Sequence, residues 1–246
     1  MNLILIEPEE LGEDGRAVLC GRRARHIREV LAVAPGDRLC VGLLDGPLGQ
    51  GEVEASSVDE IQLRCVFVDA PPPRSSVDLL LALPRPKVLR RLFRAVATLG
   101  VDRLMLTNAC KTERNYFDTH FLRPEVFRGL LFEGLEQARD TRLPRVSVHK
   151  RLRVLVEDEL DGLSPDTLRL VAHPGASGRL RDQVPPATTR RCLLAVGPEG
   201  GWIDREVEML GRAGFRAVSM GPRILSSDLA CAALLTLVHD ARAQTG

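Results

Sequence analysis

Long apolar runs are missing: no stretch of this 246-residue chain approaches the roughly 20 consecutive apolar residues that a membrane-spanning helix requires. Met1 to Glu10 also lacks the basic start and extended apolar stretch of a signal peptide, so the expectation is a cytoplasmic protein with no membrane association. Aromatic residues are scarce at 4%, with Trp202 the single tryptophan, which disfavours base stacking as the main way of holding a nucleic acid. Closely paired cysteines are absent. Cys20, Cys40, Cys65, Cys110, Cys192 and Cys231 are too widely spaced for a zinc site and several sit in apolar runs, so they read as reduced core residues and no metal is expected. Cys110 falls in a polar loop, where a catalytic thiol and a filler role are both open. Charge of one sign is not in excess either, at a net +1, so any affinity for nucleic acid must come from clustering.

Clusters are present. Arg22, Arg23, Arg25, His26 and Arg28 fall in one short stretch, and Arg85, Lys87, Arg90, Arg91 and Arg94 form a second. Arg22, Arg23, Arg25, Arg28, Arg85, Arg90, Arg91 and Arg94 are therefore candidate phosphate contacts of a sequence-independent kind. A solvated helix face is the other reading of the second cluster.

Length favours two modest domains, since a typical domain holds roughly 100–150 residues. The boundary is at Pro71-Pro72-Pro73, because consecutive prolines continue neither a ladder nor a helix; it divides the chain into residues 1–70 and 74–246. Before it, a helical stretch over 24–32 precedes short strands. The Pro35-Gly36-Asp37 turn, alternating Leu39, Val41 and Leu43, the Asp45-Gly46 hairpin signal and strands near 51–55 and 61–68 predict a small β-barrel. After it, strand and helix alternate. Buried-type runs at 77–83, 101–106, 145–148, 168–172, 192–196 and 215–220 are separated by helical patterns, which predicts an α/β domain on a parallel sheet.

Ligands of open parallel sheets bind beyond the carboxyl ends of the strands. There the sequence places His173-Pro174-Gly175, Gly197-Pro198-Glu199-Gly200-Gly201 and Gly221-Pro222-Arg223-Ile224-Leu225. Glycines let a backbone approach a ligand, prolines stiffen it, and free N–H and C=O groups can read an adenine edge. None of these loops has the glycine pattern or the following Lys-Ser/Thr of a phosphate binder, so the expected ligand is a nucleoside without a phosphate tail.

These motifs resemble a known family. Leu194-Ala195-Val196-Gly197-Pro198-Glu199-Gly200-Gly201 followed by Met220-Gly221-Pro222-Arg223-Ile224-Leu225 is similar to the signature of the bacterial small-subunit ribosomal RNA methyltransferase E family, within the SPOUT or α/β-knot superfamily. Ala172-His173-Pro174, Arg25-His26-Ile27 and Pro35-Gly36-Asp37 extend the likeness over nearly the whole chain. The resemblance implies an N-terminal PUA-like RNA-binding β-barrel, a SPOUT catalytic domain with a C-terminal trefoil knot, and a homodimer. It implies S-adenosyl-L-methionine as cofactor and methylation of N3 of one uridine in 16S rRNA of the small ribosomal subunit. By the same resemblance the cofactor-binding residues are Ala172, His173, Pro174, Gly175, Val196, Gly197, Pro198, Glu199, Gly200, Met220, Gly221, Arg223, Ile224 and Leu225.

Three residues are candidates for catalysis. Glu199 is suited to attract a sulfonium or act on the acceptor, Arg223 to stabilise a developing uracil anion, and Asp228 is a carboxylate whose alternative is to cap a helix. A salt bridge holding the loop is the alternative for Arg223. The chain departs from the family at Ser226-Ser227-Asp228-Leu229, where Arg-Thr-Glu-Thr is usual. That leaves three alternatives to the activity: an RNA-binding protein that has lost catalysis, a methyltransferase acting on another RNA such as tRNA, and a nucleotide-dependent enzyme of Rossmann type.

Overall fold

The computed structural model describes residues 3–186 and 190–243, except the side chain of Arg22. The chain divides into two compact units: the first runs to Arg74 and takes in Phe132–Leu143 as well, and the second holds Ser75–Leu131 and Pro144–Gly246.

The first unit is a curled five-stranded sheet of β1 (Ile4–Ile6), β2 (Arg16–Cys20), β3 (Arg38–Leu43), β4 (Leu48–Ser56) and β5 (Glu60–Phe67), in the order β1-β3-β4-β5-β2. The pair β1 and β3 is parallel, and the other ladders are antiparallel. Alternation places Leu39, Val41, Val53, Ile61 and Leu63 in the core with Ile4, Ile6 and Leu19. The β3–β4 turn uses Asp45 at φ 55°, as a short hairpin requires. Gly49 is demanded by proximity: a Cβ there would lie 2.2 Å from the Val66 carbonyl oxygen. The helix α1 spans Gly21–Glu29, so it begins earlier than the 24–32 pattern suggests. Residues 132–143 join this unit through polar ties. Thr141 Oγ1 donates to the Gly46 carbonyl at 2.7 Å, and the Asp45 amide donates to the Thr141 carbonyl at 2.8 Å.

The second unit is a six-stranded parallel sheet of β6 (Val77–Ala82), β7 (Arg103–Thr107), β8 (Arg145–His149), β9 (Leu168–Ala172), β10 (Cys192–Val196) and β11 (Arg216–Val218), in the order β11-β9-β10-β6-β7-β8. The central strands β6 and β10 are buried along their whole length, which is why they read as continuous apolar runs. The helix α2 (Pro86–Thr98) starts on Pro86, whose fixed φ suits a first helical position, and buries Leu89, Leu92, Phe93, Val96 and Ala97. Its exposed face carries Lys87, Arg90 and Arg91 of the second basic cluster. The helix α3 (Pro124–Ala138) begins in this unit, where Phe127 stacks on Phe93 at 5.3 Å. Where one helix over 153–159 was expected, the chain forms α4 (Leu152–Val154), a π-turn over Leu155–Glu159 and α5 (Leu160–Leu163). Next come α6 (Leu180–Gln183), α7 (Asp204–Arg212) and α8 (Ser227–Ala243).

The expectation of core cysteines holds for Cys65, Cys192 and Cys231 only. Cys20 and Cys110 are exposed and Cys40 is half-buried, because they lie at a helix start, in a loop and on a partly exposed strand. No helix of the described residues is long and apolar enough to cross a membrane.

Candidate active site

Strands β9, β10 and β11 end side by side, and the loops that follow them enclose a cavity of about 510 Å3. Ala172, His173, Pro174, Val196, Gly197, Pro198, Glu199, Gly200, Met220, Gly221, Arg223, Ile224 and Leu225 line it. Gly175 does not line it; its amide donates to His173 Nδ1 at 3.2 Å and so shapes the first loop.

Backbone bonds set the loops. The His173 amide donates to the Val218 carbonyl at 2.9 Å, and the Gly201 amide donates to the Pro198 carbonyl at 2.8 Å, closing a tight turn. Gly197 packs against the backbone of the returning chain: a Cβ there would sit 3.0 Å from the Trp202 nitrogen. Ser227 Oγ donates to the Gly197 carbonyl at 3.4 Å, tying the start of α8 to the same loop. Trp202 is buried, lines the cavity, and its indole N–H has no hydrogen-bond partner among the described residues.

Sequence reasoning missed Lys111. It comes from the loop after β7, lines the cavity, and its ammonium donates to the Gly200 carbonyl at 2.7 Å. Beside it, Glu206 on α7 accepts from the Cys110 amide at 2.7 Å and the Ile203 amide at 3.0 Å, which fixes the β7 loop to the end of the β10 loop. Cys110 therefore contributes its backbone here.

The three catalytic candidates differ sharply in their bonding. Glu199 is exposed, and one carboxylate oxygen, Oε1, accepts from the Arg85 amide at 3.0 Å. Arg223 is exposed and makes no ion pair among the described residues, so the salt-bridge reading does not apply. Asp228 is the second residue of α8, inside the helix instead of at the capping position before it. Its Oδ1 accepts from Ser226 Oγ at 2.6 Å and its Oδ2 from Arg91 Nη2 at 2.6 Å. Ser226 and then Arg91 hold its carboxyl below the usual range, so Asp228 remains an anion with its bonding capacity taken.

The basic clusters divide the same way. Arg23 is committed internally: it donates to the Leu5 carbonyl at 2.8 Å and pairs with Glu10. Arg28 holds the carbonyls of Ser57 and Val58. These bonds engage part of each guanidinium in the fold. Arg25 and Arg90 are exposed with no ion pair among the described residues, Arg91 pairs with Asp228, Arg94 is half-buried, and the side chain of Arg22 lies outside the described residues. Among the described residues, no group of three or more His, Cys, Asp or Glu could hold a metal ion.

A parallel sheet with a ligand-sized cavity formed by three loops beyond its strand ends matches a known class: the family model of the RNA methyltransferase domain matches residues 71–239. The ribosomal RNA small subunit methyltransferase E of Treponema pallidum is 32% identical over 99% of this chain and 92% of its own length. That of Mycobacterium bovis is 27% identical over 90% of this chain and 85% of its own. This chain belongs to the ribosomal RNA small subunit methyltransferase E family. Two solved structures share the fold: a ribosomal RNA small subunit methyltransferase E from Neisseria gonorrhoeae bound to S-adenosyl methionine (TM-score 0.79, 19% identity, 98% and 97% of the two chains) and a putative methyltransferase from Legionella pneumophila in complex with the same cofactor (TM-score 0.78, 21% identity, 98% of each).

Proposed function

We propose that the protein is an S-adenosylmethionine-dependent methyltransferase that methylates N3 of a uridine in 16S rRNA of the small ribosomal subunit. The observation that carries this reading is the cavity. Its volume suits a nucleoside-sized ligand, and its walls combine loop backbone and apolar side chains with a few charged groups, Lys111, Glu199 and Arg223 among them. Membership of the family and the cofactor held in the two related structures support it further.

S-adenosylmethionine, when bound, supplies a methyl group on a positively charged sulfur. Ala172 to Pro174, Val196 to Gly200, Met220, Gly221 and Arg223 to Leu225 would hold it; Gly175 shapes their first loop. Uracil N3 loses its proton as it gains the methyl group, so the site needs a proton acceptor and a cation near the uracil oxygens. Glu199 takes the proton, because its Oε2 has no partner among the described residues whereas both oxygens of Asp228 are engaged. Arg223, exposed and without an ion pair among the described residues, reaches the developing anion. Asp228 orients Arg91 and the start of α8.

Residues 1–70 serve as a PUA-like RNA-binding barrel and 74–246 as the SPOUT catalytic domain, with the chain before α8 threaded into a trefoil knot. Arg25 and Arg90 contact RNA phosphates. The active form is a cytoplasmic homodimer. Met220, Ile224, Leu225 and Leu229 leave apolar surface in water at one edge of the cavity, Ile224 at 82% exposure, and a second copy would cover it. Labelled S-adenosylmethionine offered with small subunits, large subunits and transfer RNA tests this reading. Label confined to small subunits supports it, and label in transfer RNA alone overturns it.

A further inference from the structure

Lys111, in the loop after β7, lines the cavity but belongs to none of the three glycine loops. Both of its chain neighbours are tied down. The Cys110 amide donates to Glu206 at 2.7 Å, and the buried Thr112 donates from Oγ1 to the Leu83 carbonyl at 3.3 Å. The Lys111 stem lies across the β10 loop. A Cβ at Gly200 would sit 2.8 Å from Lys111 Cδ and 3.2 Å from its Cβ, so the stem crosses there only over a glycine. At its end the ammonium donates to the Gly200 carbonyl at 2.7 Å.

That bond fixes the ammonium without exhausting it. An ammonium has three donors, the carbonyl takes one, and a carbonyl cancels no charge. Lys111 makes no ion pair among the described residues. S-adenosylmethionine carries an adenosine at one end and an amino acid at the other, whose carboxylate needs a cation when it leaves water. Of the Lys and Arg side chains, Lys111 and Arg223 line the cavity. Arg223 is exposed and nothing among the described residues fixes its guanidinium, whereas Lys111 is in place before any ligand arrives. A preorganised cation loses less freedom on binding. The carboxylates that line the cavity, Glu199 and Asp204, would repel the ligand's own.

We propose that Lys111 is a cofactor-binding residue: its remaining donors receive the carboxylate at the amino-acid end of S-adenosylmethionine, while the bond to Gly200 keeps the β10 loop in place. This rests on the reading of the cavity as the cofactor site. The adenosine end is left to the glycine loops. Lys111→Met keeps the stem over Gly200 and removes the charge.

The test is titration calorimetry without RNA. Its probes are S-adenosylhomocysteine, the decarboxylated form of that molecule, and 5′-methylthioadenosine, which lacks the amino-acid end altogether. Lys111→Met should lower affinity for S-adenosylhomocysteine about tenfold or more, the scale of a lost charge-assisted hydrogen bond, and leave affinity for 5′-methylthioadenosine unchanged. In the wild type, taking the carboxylate off the probe should cost about as much. In Lys111→Met it should cost nothing further, because the partner is already gone. Equal losses for S-adenosylhomocysteine and 5′-methylthioadenosine would overturn the proposal, since Lys111 would then only hold the loop. So would an unchanged affinity of the variant for S-adenosylhomocysteine. The wild-type comparison decides even if the variant does not fold: equal affinity for S-adenosylhomocysteine and its decarboxylated form would overturn the proposal by itself. A wild type that binds none of the probes would overturn the reading of the cavity, and the assignment of Lys111 with it.

Discussion

The two ends of the six-stranded sheet treat charge in opposite ways. At the amino ends of β6 and β7, Asp78 is fully buried and accepts from Arg191 at 2.5 Å and from Arg103 at 2.6 Å. Asp102 accepts from Arg191 at 2.8 Å and Arg145 at 2.9 Å. Asp78 and Arg103 are register partners on adjacent strands, so the network spans the ladder it stabilises. At the carboxyl ends, Glu199 spends one oxygen on a backbone amide and Arg223 spends nothing among the described residues. A saturated network holds strands in place, whereas charge with spare bonding capacity is what a ligand can use.

The largest effect should come from breaking the saturated end. Arg191→Ala strips a buried carboxylate of its two-point partner and should cost about 3 kcal/mol or more of stability in urea unfolding. The cofactor affinity of the protein that remains folded should not change, since no residue of this network lines the cavity. At the open end, Glu199→Gln should cut methyl transfer about a hundredfold, the scale of lost general base catalysis, and leave the melting temperature where it was.

Asp228 sits between these extremes, and its effect is smaller. Because Ser226 and Arg91 lower its pKa in the folded state, it adds stability at neutral pH that is lost as pH falls below the ordinary carboxylate range. Asp228→Asn should remove that contribution, under about 1 kcal/mol for a partly exposed pair, and flatten the acid side of the stability profile. The smallest effect concerns thiol chemistry. Burial pushes Cys192 and Cys231 up to about 12 and Cys65 to about 11. An alkylating reagent near pH 8 should therefore label Cys20 and Cys110 and spare these three until the protein unfolds.

The sequence exposed the open end more readily than the saturated one. Strands β6 and β10 are unbroken apolar runs, and the Gly-Pro pairs after β10 and β11 mark where the backbone must turn close to a ligand. Thirteen of the fourteen residues expected around the cofactor line one cavity. Lys111 escaped because its loop has no glycine signature, and only the neighbours brought by the fold reveal it. Strand β1 is three residues long and pairs in parallel with β3, with no turn signal to announce it. Nor did any composition shift tie 132–143 to the first unit, since the tie is made by backbone groups, the Thr141 hydroxyl, the Arg142 guanidinium and the Asp45 carboxylate. Helix α1 begins at Gly21, in the left-handed region at φ 63°, where a glycine reads as a break in a helical pattern.

The central claim is that the open end of the sheet performs methyl transfer with Glu199 as proton acceptor. The most direct test is to digest unmodified small subunits after treatment with wild-type protein or Glu199→Gln and identify the nucleoside by mass spectrometry. N3-methyluridine from the wild type, reduced about a hundredfold by the variant at equal melting temperature, is the result this account predicts. No N3-methyluridine from the wild type, or equal yields from the two proteins, would contradict it.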